Sequence, residues 1–187
     1  MLKHIFKLED RIMLNAVSIG MDIAVISEGI ADHSDLVDAV QDDIVKMEYN
    51  PETDNLETLL QKIEDAAGDS AIGNISFATH GDNGEILLTA EETVTAESIN
   101  INSENKDQDQ IDFFNGLAEK MAENGRIDFL ACNLSQDIET SIESFTGKNV
   151  AISYDITGNS GNWILESDNI DLTAANGYFD AGKLEAF

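Results

Sequence analysis

Apolar residues recur along this chain in two rhythms. Short continuous runs alternate with longer stretches in which apolar positions return every three or four residues. Asp22-Ile23-Ala24-Val25-Ile26 is a run of the first kind and predicts a central strand buried on both faces. A short helix is predicted over Asp32–Val40. The segment 44–49 (Ile44-Val45-Lys46-Met47-Glu48-Tyr49) alternates apolar and charged residues, as a strand near the sheet edge does. After Pro51 comes the clearest helix. Asp54 and Glu57 have capping-box spacing, Leu56, Leu59, Leu60, Ile63 and Ala67 form one stripe, and Gly68 ends it.

The alternation continues to the end of the chain. A strand is predicted over Asn74–Thr79, then a turn at Gly81-Asp82-Asn83-Gly84 and a small returning strand at Glu85–Leu88. Residues 89–106 read as a loop with a further strand at Ser98–Ile101. A second helix is expected over Gln108–Glu123, with Ile111, Phe114, Ala118 and Met121 on one face and Gly125 closing it. The strand Arg126–Ala131 comes next, then a helix through Ile138, Ile142 and Phe145, a buried strand at Val150–Ser153, a Gly/Asn/Ser loop, and a strand at Trp163–Glu166. Strands alternating with helices predict an α/β three-layer sandwich on a mostly parallel sheet. The expected organisation is an amino-terminal segment, 1–15, and a single α/β domain over 16–187. With 187 residues, 42% of them hydrophobic, the chain is long enough for one proper core.

Charge narrows the partners. Thirty-seven acidic residues against 10 basic ones give a net charge of −27. That field repels nucleic-acid phosphates and anionic membrane surfaces, and favours cationic ligands and basic peptide segments. No run reaches the roughly 20 apolar residues of a membrane helix, and the charged opening Met1–Arg11 is unlike a Sec-type signal. No nucleotide loop is present, and one cysteine makes a zinc site improbable. No cofactor is expected. Calcium has weak support from Asp82, Asn83 and Glu85, or from Asp107, Asp109 and Asp112, because neither group has EF-hand spacing. The oligomeric state is not legible.

Two residues carry the candidate chemistry. His80 follows the run Asn74-Ile75-Ser76-Phe77-Ala78-Thr79, and Cys132, the single cysteine, follows Arg126-Ile127-Asp128-Phe129-Leu130-Ala131. Loops leaving the carboxyl ends of parallel strands gather on one edge, and neighbouring strands are only about 4.8 Å apart. A thiol and an imidazole brought together there are a candidate nucleophile and base. Gly81 would let backbone amides come close to a substrate carbonyl, as an oxyanion site requires. The competing reading makes Cys132 a small buried hydrophobe and His80-Gly81 a turn.

The spacing Phe77-Ala78-Thr79-His80-Gly81, then Phe129-Leu130-Ala131-Cys132 with the histidine and cysteine 52 positions apart, resembles the caspase-like (clan CD) cysteine peptidases. The chain also looks like a domain of unknown function near the start of giant bacterial surface adhesins and cadherin-like proteins. Its features here are His80-Gly81 with Gly84 and Leu87, Ala131-Cys132-Asn133, Ala151–Gly158 and Trp163–Glu166. Leu8-Glu9-Asp10-Arg11 is similar to a Leu-Glu-Pro-Arg opening, with Asp10 in place of proline. These resemblances imply a caspase-hemoglobinase-like fold, a His80/Cys132 dyad and a bacterial protein, secreted or surface-associated. They imply a cysteine endopeptidase or autoprocessing domain acting on peptide or protein substrates. Non-catalytic alternatives are an adhesin-type module or a basic-peptide-binding unit. The caspase Gln-Ala-Cys-x-Gly block is absent. Asp155, after the Val150 strand, would sit where such peptidases select the residue before the scissile bond and would prefer Arg or Lys. Its competing role is to cap its own loop. The locally basic opening makes Arg11–Ile12 a candidate cleavage site.

Overall fold

The computed structural model describes residues 20–158 and 161–184. Its centre is a five-stranded sheet of β1 (Met21–Ser27), β2 (Val45–Tyr49), β3 (Ile72–Ala78), β7 (Met121–Leu130) and β8 (Asn149–Ile152). Their order is β2-β1-β3-β7-β8, and every neighbouring pair is parallel. The chain therefore winds outward from β1 to β2, reverses, and builds the rest of the sheet on the other side of β1. In doubly wound sheets ligands bind at the carboxyl edge near such a reversal.

Side-chain alternation divides the core. Ile23 and Val25 of β1, Ile75 and Phe77 of β3, and Ile127 and Phe129 of β7 face α2 (Leu56–Ala67), α3 (Gln108–Lys120) and α4 (Gln136–Thr146). Phe77 and Phe129 stack there with ring centroids 5.4 Å apart. The alternate residues Ala24, Ile26, Ala78, Leu130 and Ala151 face α1 (His33–Ala39) and α5 (Ala181–Leu184). The hairpin of β9 (Ile164–Leu165) and β10 (Ile170–Asp171) covers the same face. Three layers result, as the patterning predicts. Among the described residues no helix is long and apolar enough to cross a membrane.

Several local expectations are corrected. The cap of α2 is Asn55, not Asp54: its side chain accepts from the Thr58 amide, and the Thr58 hydroxyl accepts from the Asn55 amide. The reciprocal box thus starts one residue later than the Asp54/Glu57 spacing suggests. Asp54 instead accepts from the Asn50 amide at 2.8 Å and from Lys62 Nζ at 2.6 Å. Helix α3 stops at Lys120 rather than Glu123, because β7 starts immediately at Met121. Gly125 lies within that strand, where a Cβ would come within 2.7 Å of the Gly73 carbonyl oxygen; close strand packing requires the glycine, not a helix end. The extra strand is β6 (Thr93–Val94), not Ser98–Ile101, which forms a turn around buried Ile99.

One buried polar cluster escaped the hydrophobic pattern altogether. Asp128, in β7, is fully buried. It accepts from Arg126 Nε at 2.6 Å, from Arg126 Nη2 at 2.8 Å and from the Tyr178 hydroxyl at 2.8 Å. Burial pushes the Asp128 carboxyl up, and the guanidinium offsets part of that shift. Burial, reinforced by the neighbouring carboxylate, also raises the Tyr178 phenol well above its ordinary value. The cluster ties β7 to the carboxyl-terminal segment.

Removing Arg126 would leave the buried Asp128 carboxylate without its counter-charge, whereas removing the Tyr178 hydroxyl takes away one hydrogen bond. Arg126→Met is expected to cost about 3 kcal/mol and Tyr178→Phe about 1 kcal/mol, read as shifts of the urea unfolding midpoint.

Asp54 gives a pH-dependent expectation. Burial opposes its ionisation, but the Lys62 ammonium and the Asn50 amide outweigh burial and hold its carboxyl below the ordinary value. A depressed folded-state value means the contribution is complete above the unfolded carboxylate value and is lost as pH falls through the folded one. Asp54→Asn should therefore cost about 1 kcal/mol near neutrality, and that cost should shrink below about pH 4. Unfolding curves of the two proteins at several pH values check this.

Candidate active site

Three loops meet at the carboxyl edge of the sheet. The first leaves β3 and turns at once into the hairpin β4 (His80–Asp82) and β5 (Glu85–Leu87), with β6 beyond it. Its turn residues Asn83 and Gly84 have φ of 53° and 82°. Two successive left-handed positions form a type I′ turn, which Asn-Gly suits best. The second loop runs from Ala131 into α4 and carries Cys132. The third, after β8, runs from Ser153 to Gly158.

Backbone hydrogen bonds lace the three together. Asn133 donates to the Asp155 carbonyl at 2.9 Å, Leu134 to the Ser153 carbonyl at 3.0 Å, and Gly84 to the Asn133 carbonyl at 2.9 Å. Glu166 pins the third loop from outside. Its Oε2 accepts from the Ser153 hydroxyl and the Tyr154 amide, each at 2.9 Å. Burial works against that carboxylate, but these two donors prevail and hold its pKa below the ordinary range.

Register explains why His80 and Cys132 converge. Phe77 pairs with Phe129 and Ala78 with Leu130 across β3 and β7, and His80 and Cys132 each stand two residues beyond that last pair. Alternation directs both toward the side of Ala78 and Leu130, where α1 lies. Both border one cavity of about 170 Å³. Ile30, Leu36, Thr79, Leu130, Thr157, Gly158 and Trp163 line the rest of it. His80 is exposed and Cys132 half-buried.

The two reactive groups have other partners at rest. His80 Nε2 lies 3.1 Å from the Gly29 carbonyl oxygen. A carbonyl only accepts, so Nε2 carries the proton, and in the neutral ring Nδ1 keeps the lone pair. Cys132 Sγ lies 3.5 Å from the Thr157 hydroxyl. The structure thus brings thiol and imidazole to one cavity without bonding them to each other.

Gly81 is where it is because of packing. A Cβ there would lie 2.8 Å from the Cys132 carbonyl oxygen and 3.0 Å from Ala131 Cβ, so only glycine lets the hairpin rest on the Cys132 loop. Asp155 is exposed, and its carboxylate lies 3.3 and 3.4 Å from Asn162 Nδ2. It holds its own loop, and Thr157 and Gly158, not Asp155, line the cavity. Asp82 is bonded to Asn83, and Asp107 caps α3 through the Asp109 and Gln110 amides. Arg11 and Ile12 lie outside the described residues. Thr157, Trp163, Ile30 and Glu166 were not singled out as site residues by sequence reasoning; Thr157, Trp163 and Glu166 stood out there only within longer segments.

A family described as Domain of unknown function (DUF4347) matches residues 23–187, from within β1 through all later elements. The chain belongs to the DUF4347 family. No curated protein and no solved structure matches it. The DUF4347 match covers both strand ends that carry His80 and Cys132.

Gly81→Ala is expected to push the hairpin off the second loop. The overpacking should destabilise this DUF4347 domain by about 1–3 kcal/mol, measured by thermal unfolding, and should change the alkylation rate of Cys132 in the folded protein.

Proposed function

We propose that this domain is a caspase-like cysteine endopeptidase or autoprocessing domain, of a bacterial secreted or surface protein, with Cys132 as nucleophile and His80 as its acid–base partner. The observation that carries this reading is the convergence of both residues, from adjacent strand ends, on one solvent-open cavity at the sheet edge. The resemblance of the two His-Gly and Ala-Cys strand ends to caspase-like peptidases supports it.

In the reaction His80 accepts the thiol proton, and Sγ adds to the scissile carbonyl carbon. The carbonyl becomes an oxyanion, held by the Gly81 and Cys132 amides. His80 then gives its proton to the leaving amine as the C–N bond breaks, leaving a thioester. Water, deprotonated by His80, adds to the thioester, and the carboxylic acid and free thiol are released. Nδ1 is the atom that takes the proton, because Nε2–H is donated to the Gly29 carbonyl, and substrate binding brings Nδ1 and the thiol together. Catalytic hydrogen bonds are often unformed before substrate is bound.

A second reading has one observation in its favour. The thiol lies against the Thr157 hydroxyl and not the imidazole, which favours a non-catalytic peptide-binding module that retains the fold.

A Cys-directed irreversible peptide probe separates the two. Labelling of Cys132 that falls about 100-fold or more in His80→Ala is expected for the enzyme. Equal, slow labelling in both proteins would leave the binding module.

A further inference from the structure

We infer that the cavity beside Cys132 is a subsite for one apolar side chain, the size of leucine or phenylalanine, with cationic residues of the same peptide left outside on the acidic surface. The inference rests on the peptide-binding reading of this site and names its substrate class.

The walls carry the argument. Ile30, Leu36, Leu130 and Trp163 are apolar, and the threonine hydroxyls among them are already engaged. The Thr79 hydroxyl accepts from the Tyr49 hydroxyl and donates to the Leu87 carbonyl, and the Thr157 hydroxyl is against Cys132. No carboxylate lines the cavity among the described residues. A guanidinium or ammonium entering it would lose hydration without gaining a counter-charge. Asp155, the acid expected to receive such a cation, is held by Asn162.

Size agrees with this chemistry. The volume is about 170 Å³, and a dry apolar cavity of about 150 Å³ suffices to hold benzene. One medium apolar side chain fits, whereas a drug-sized ligand needs about 300 Å³ or more. Exposed apolar side chains also occur nearby in sequence: Ile156 and Ile164, which adjoin the lining residues Thr157 and Trp163, are 48% and 36% exposed. Basic residues flanking the apolar one would still be drawn to the protein, because the net charge is −27.

The test uses peptidyl acyloxymethyl ketones that differ only in the residue before the ketone. Thiolate displaces the carboxylate, forming a C–S bond, and Cys132 is the single cysteine, so the site of labelling is unambiguous. Leucine and phenylalanine probes are expected to label at least about 10-fold faster than arginine or aspartate probes. Fastest labelling by the arginine probe would overturn the inference, as would Cys132-dependent cleavage after Arg11. If no ketone reacts, the peptidase reading fails, and the subsite is read separately. Benzyl and aminoethyl methanethiosulfonates are compared on Cys132 and on free N-acetylcysteine. In each case thiolate forms an S–S bond and expels methanesulfinate. Relative to the free thiol, the benzyl reagent should be favoured about 10-fold, and Ile30→Glu should reverse that preference. Equal relative rates, or a preference for the aminoethyl reagent in the unmodified protein, would sink the subsite.

Discussion

The parallel register between β3 and β7 is the constraint on which the rest depends. Phe77 stacks on Phe129 under α3, and Ala78 sits beside Leu130 on the opposite face. A strand has a side-chain period of two, so a slip of one residue would send every side chain of one strand to the other face. The stacked phenylalanines resist such a slip. They therefore also fix the positions two and three residues beyond, where the chemistry-bearing side chains emerge. In this domain the core and the candidate site are specified by the same few side chains.

The loops that leave the two strands matter as much as the alignment of the strands themselves. β7 runs through Ala131 into the loop of Cys132 and then into α4, while β3 folds straight back as a hairpin whose first residue is His80. The hairpin rests on the cysteine loop only because position 81 lacks a side chain. Further amide bonds then join the cysteine loop to the Ser153–Gly158 segment, and Glu166 clamps that segment from the far side. The cavity is consequently a product of the sheet edge as a whole, with walls drawn from five separate stretches of chain.

Electrostatics act at two ranges. The large negative charge is spread over the surface, where water and salt screen it beyond about 10 Å. Inside, the buried Asp128 carboxylate is held by Arg126 and Tyr178, a cluster that serves the fold and lies partly in the strand that delivers Cys132. The cavity, by contrast, is lined mainly by aliphatic and aromatic groups. A long-range attraction for cations and a short-range preference for apolar contact are thus compatible properties of one site.

Local pattern sufficed for the elements of the layers. The apolar runs at β1, β3 and β7, the alternation in β2 and the stripe of α2 each bury their own residues, so periodicity alone reveals them. The strand ends bearing His80 and Cys132 were legible for the same reason. Boundaries set by competition were not. Asn55 and Asp54 are both able caps, and only the fold engages one with Thr58 and the other with Lys62. Gly125 reads as a helix stop in one dimension and as a strand contact in three. Asp155 was placed on the correct loop, but its partner Asn162 comes from a turn whose path local sequence does not specify. The direction of the His80 ring, the Thr157 contact of the thiol and the apolar walls around both depend on residues up to about 130 positions apart, from Ile30 to Trp163. Sequence determined which groups reach the edge, because strand periodicity is local; tertiary structure decided what surrounds them, because packing is not.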